Sequence, residues 1–200
     1  TSRWYQTGIE FRVPVTLTGN LTVNGTANLY LAVNGQTVWT ADTNKTYYQC
    51  SCPNARSVTF GFQDMYATGL LSSGNYICKV VSSTGSAACQ VWTTGNNGSN
   101  GRESSGNQIW LHNTGPQTST QRMAGTITLT RMYTAPGNPF VYNVHGNSVL
   151  YDVNTSTTHY FSTIVGRVVL PSSATLDRVE LLTNNSSTGM SGSFDLSYML

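Results

Sequence analysis

The sequence predicts an all-β domain: an antiparallel β-sandwich, immunoglobulin-like or jelly-roll, with long surface loops and little helix. Three observations predict it. Apolar and polar residues alternate at period two along most of the 200 residues. Glycine and asparagine pairs interrupt that alternation at short intervals. No stretch keeps a 3.6-residue period for three turns.

In chain order, the alternation runs through IEFRVPVTL (9–17), LTV (21–23), NLYLAV (28–33), QTVWTA (36–41) and TYYQCSC (46–52). It continues in VTFGF (58–62), YICKVV (76–81), CQVWT (89–93), IWLH (109–112) and GTITLTRMY (125–133). FVYNV (140–144), VLYDV (149–153), HYFSTIVGRVVL (159–170), DRVELL (177–182) and GSFDLSYML (192–200) complete it. Turns are expected at Gly19-Asn20, Asn24-Gly25, Asn34-Gly35, Ser73-Gly74, Gly137-Asn138 and Gly146-Asn147, because Asn-Gly and its relatives tolerate positive φ. One helical turn is expected near FQDMYATGLL (62–71). The Gly/Ser/Asn stretch from Thr93 to Asn107 fits a surface loop better than a domain boundary. Residues 1–200 are therefore expected to form one domain, cut from a longer chain or processed at Thr1.

Charged residues make up 9% of the chain, against the usual quarter, and Ser, Thr, Asn and Gly take their place. A net charge of +2 is too small to argue for nucleic acid or an anionic membrane. No run reaches the roughly 18 apolar residues of a membrane span. Seven N-x-S/T triplets, at Asn20, Asn24, Asn44, Asn97, Asn154, Asn184 and Asn185, are about what chance supplies in such a composition.

Four cysteines, Cys50, Cys52, Cys78 and Cys89, lie within 40 residues. The expectation is two disulfides, Cys50 and Cys52 each bonding one of Cys78 and Cys89, and with them an oxidising compartment. Four reduced thiols is the alternative. A zinc site is disfavoured, because C-x-C is not the usual knuckle spacing and no histidine is near.

Catalytic constellations are not expected. Eight carboxylates are thinly spread, and Asp177 and Glu180 point to opposite faces of a strand. No nucleophile elbow, phosphate loop or dinucleotide turn occurs. His112, His145 and His159 show no metal-ligand spacing. No enzyme activity, cofactor or metal is expected.

Recognition of a sugar needs flat apolar rings and planar polar groups, and the chain is rich in both. Eleven tyrosines and four tryptophans stand among many amides. The densest stretch lies between Trp92 and Arg122. Arg102, Glu103, Trp110, His112, Asn113 and Gln117 are its candidate ligand-binding residues. Against that, Trp92 and Trp110 alternate with polar neighbours and suit a sandwich core equally well, and the loop between them suits a plain connection.

The chain resembles the N-terminal receptor-binding domain of bacterial chaperone–usher fimbrial tip adhesins. The features that carry this are its length, its Thr/Asn/Gly-rich alternating strands, its low charge, its clustered cysteines and the closing run GMSGSFDLSYML. The resemblance implies an extracellular protein at a pilus tip, reached through the periplasm. It implies a chaperone, an usher and an adjacent pilus subunit as partners, a following pilin domain, and a host glycan or glycoprotein receptor. A structural pilin subunit, a carbohydrate-binding module and a phage or viral receptor-binding domain are the alternatives.

Overall fold

The computed structural model describes residues 34–40, 47–67, 75–95, 101–104, 106–115, 120–184 and 190–200. The expected strands before residue 34, the turns at Gly19-Asn20, Asn24-Gly25 and Ser73-Gly74, and Gln117 lie outside them. The described residues form strands and connections without helix. None of them therefore forms a helix long and apolar enough to cross a membrane.

The strands are β1 (Asn34–Thr40), β2 (Tyr47–Ser51), β3 (Ser57–Ala67), β4 (Tyr76–Ser82), β5 (Gly85–Ser86), β6 (Ala88–Gly95) and β7 (Arg102–Glu103). After them come β8 (Gln108–Trp110), β9 (Gln121–Arg131), β10 (Val141–Asp152), β11 (Thr155–Val169), β12 (Leu176–Thr183) and β13 (Met190–Met199). They build two antiparallel sheets packed as a sandwich, as the alternation predicts. The larger sheet runs β1-β13-β3-β9-β10-β11-β6-β7, and the smaller β2-β12-β4-β5 with β8 also on β4.

The core lies between the sheets. β10 shows why: Tyr142, Val144, Gly146, Ser148 and Leu150 are buried, and the residues between them are exposed or half-buried. Phe194 of β13 stacks 6.5 Å from Phe60 of β3 and meets Tyr48 of β2 at 4.9 Å, tying the sheets together. Tyr142 reaches past the sheet to donate to Ala55 O at 2.6 Å, and burial raises its phenol to about 12.

Three local expectations are corrected. Gly146-Asn147 is no turn: β10 runs unbroken through it, paired with β9 and β11. A Cβ on Gly146 would come within 2.5 Å of Thr126 O, so the glycine serves close strand approach. Asn34-Gly35 likewise opens β1, facing Met199 and Tyr198 of β13. Residues 62–67 of the expected helical turn are strand with a bulge, where Asp64 takes φ 54 and the register on β9 and β13 shifts. The bulge lets Phe62 and Met65, three apart, both face the core, which is the spacing that reads as helix. Gly137-Asn138 does lie in a turn, closed by Asn138 N–H to Ala135 O at 3.1 Å.

The cysteines are corrected too. All four are buried free thiols, and neither expected disulfide is present. Cys50 and Cys78 sit on strands that flank β12, opposite Val179 and Leu181. That puts them about 10 Å apart across the sheet, beyond the roughly 7 Å a disulfide spans. Cys50 lies in β2, and Cys52 follows just past the end of that strand. Burial pushes Cys52 and Cys89 up to about 12, and Cys78 further in the same direction. The argument from disulfides to an oxidising compartment lapses with them.

Candidate functional site

The stretch richest in candidate residues is the seam between the sheets. The run from Arg102 to Leu111 starts on the larger sheet, where Ser104 N–H reaches Val91 O at 2.8 Å and Gly106 O takes Cys89 N–H at 2.6 Å. It then crosses to the smaller sheet, where Asn107 O takes Val80 N–H at 2.9 Å and β8 pairs with β4. Gly106, at φ 59, sits next to the point where the partner changes.

Buried hydroxyls and amides then hold the chain from the last residue of β8 onward. Thr93 donates to Trp110 O at 2.7 Å, Ser148 to Leu111 O at 2.5 Å, and Asn75 Nδ2 to His112 O at 2.6 Å. Ser162 donates to Asn113 Oδ1 at 2.9 Å and accepts Asn113 N–H at 3.2 Å. His112 is fully buried, with Nδ1 2.9 Å from Thr114 O and Nε2 3.1 Å from Tyr160 O. Those carbonyls favour the imidazolium, but burial outweighs them and holds the ring below its ordinary pKa.

The candidate residues therefore divide. Trp110 is 9% exposed, and Arg102 covers its ring, the guanidinium carbon 3.5 Å from the centroid. Burial lowers the Arg102 pKa. Trp110, His112 and Asn113 are thus spent inside the molecule and present no stacking surface. Arg102 is half-buried on its tryptophan, and Glu103 is exposed beside Trp92. Gln117 lies outside the described residues.

The accessible rings lie on the outer face of the larger sheet instead. Trp92 of β6 is 49% exposed and is paired with Val165 of β11, 45% exposed. Phe161, four residues before Val165 on the same face, is 56% exposed. The register lays out rows across β10, β11 and β6. Asn143, Arg167 and Gln90 form one row, followed by His145, Val165 and Trp92. Asn147, Thr163 and Thr94 come next, then Val149 and Phe161. Rows two residues apart are spaced about 6.8 Å, so Trp92 and Phe161 stand about 14 Å apart along the strands. The result is a firm, nearly uncharged platform of rings flanked by amides and hydroxyls.

Sequence reasoning passed over Phe161 and Val165 because a long apolar strand does not reveal which face is covered. Only the register shows that Trp92 and Val165 share the outward one. Among the described residues no three His, Cys, Asp or Glu side chains are grouped to hold a metal ion. No known protein family, characterised protein or solved structure matched the chain when compared with it.

Proposed function

We propose that this domain is a non-catalytic recognition module that binds glycans on the outer face of its larger sheet. One observation carries the reading: Trp92, Val165 and Phe161 are exposed together on a hydrogen-bonded sheet, bordered by Gln90, Asn143, Asn147 and Thr163. Rings of this kind stack on the C–H faces of sugars, and neighbouring amides bond their hydroxyls. A rigid sheet holds those groups without the ordering cost a loop would incur. The resemblance to fimbrial tip adhesins supports placing the module at a cell surface, engaging a host glycan or glycoprotein. Chaperone, usher and pilus partners belong to that same proposal. Single-site affinity is expected in the micromolar to millimolar range, about −8 to −4 kcal/mol, and many copies acting together raise it.

The test is a glycan array probed with the folded domain in multivalent form. Reproducible binding to a sugar class that Trp92→Ala weakens about ten-fold or more sustains the reading. A blank array from folded protein refutes it.

A further inference from the structure

One end of this platform opens into a groove of about 630 Å³, lined among others by Gln90, Met132, Tyr133, Asn143 and Arg167. We infer that this groove takes a saccharide bearing a carboxylate, with Arg167 as its anchor and Tyr133 as its ring platform. The inference rests on the glycan reading above and sharpens it to a ligand class.

Three observations support it. First, among the described residues no Asp or Glu lines the groove, and Arg167 is the charged side chain there. Second, among the described residues no carboxylate pairs with Arg167. Lys79 and Arg178 pair with Glu180, and Arg122 with Asp64. Arg102 lies over Trp110 and Arg131 over Phe140. Arg167 has neither an ion pair nor a ring among the described residues. Its Nε donates to Gln90 Oε1 at 2.7 Å. That bond fixes the plane of the guanidinium and leaves both terminal NH₂ groups for a two-point grip on a carboxylate. Third, the surroundings suit a sugar ring. Asn143 stands beside Arg167 on the neighbouring strand, and Tyr133 is 92% exposed at the groove's edge. Gly166 brings the strands together here, since a Cβ would come within 2.6 Å of Val91 Cα.

The experiment is an amide-resolved NMR titration of the labelled domain. The probes are α-methyl N-acetylneuraminate, methyl β-glucuronide, methyl β-galactoside and a glutamate-rich peptide. At least one acidic sugar should bind ten-fold or more tighter than the galactoside, shifting the amides of Gly166, Arg167 and Asn143. Arg167→Gln should bring that sugar down to the galactoside's level, and Tyr133→Ala should weaken all three sugars. Both substituted positions are exposed, and the spectra report folding directly. Equal binding of acidic and neutral sugars, centred on Trp92 and Phe161, overturns the inference and leaves the glycan reading standing. Binding of no sugar overturns both. Tighter binding of the peptide than of either acidic sugar overturns the sugar assignment in favour of a protein partner.

Discussion

Trp92→Ala should weaken glycan binding about ten-fold per site and leave the fold intact. A buried tryptophan typically covers 150–250 Å², so at 49% exposure about 100 Å² of Trp92 is accessible. A sugar ring stacked on one face covers roughly half of that, and about 50 Å² at 25 cal/mol per Å² is about 1.3 kcal/mol, close to a factor of ten. Two sites engaged at once compound the loss to about a hundred-fold. The stability cost should be small, about 0.2–1 kcal/mol for the lost pairing with Val165 and Glu103. Biolayer interferometry on an immobilised array hit, run with monomeric and multivalent protein, separates the two factors. Circular dichroism and a melting curve check the fold. Binding within two-fold of the parent by a normally folded variant would refute the platform.

Other outcomes follow from the interior. His112 has a folded pKa below its unfolded value near 6.5, so the unfolded chain takes up a proton first. Its contribution is present above pH 6.5 and lost as the pH falls through the folded pKa. The urea midpoint should thus drop between pH 7 and 5.5, before the carboxylates titrate, and His112→Gln should flatten that drop. The same slope in both proteins would show that another group is responsible. Native protein should expose no thiol to Ellman's reagent at pH 8, and unreduced protein in guanidinium should show all four. Fewer than four would mean bridges exist. Gly146→Val should cost about 1–3 kcal/mol in denaturant unfolding by overpacking the β9–β10 contact. A change below about 0.5 kcal/mol would mean the strands part freely there.

The fold class was legible because half-buried antiparallel strands must alternate, and this chain alternates nearly everywhere. Local exceptions were not. Gly146-Asn147 has the composition of a turn, and only its inward position between two strands shows that the glycine is there for space. The bulge at Asp64 imitates helical spacing. The cysteines are close in sequence, yet β12, from a hundred residues later, runs between two of the strands that carry them. The burial of Trp110, His112 and Asn113 was not legible for a related reason. Rings and amides mark a sugar site equally well on either face of a strand. Trp110 and His112 turned inward, whereas Trp92 turned outward.

The partner change at Gly106 and Asn107 also bears on mechanics. Adjacent peptide carbonyls hold opposite sheets, one through Cys89 and the other through Val80. A pull that separates the sheets along this edge passes through these two bonds in series, and the bonds of Thr93 to Trp110 O and of Ser148 to Leu111 O hold the same segment to the larger sheet beside them, in parallel. Load shared among parallel bonds resists far better than load met one bond at a time. The edge acts as a clasp, and under tension its rupture should come as one abrupt event, not as progressive peeling.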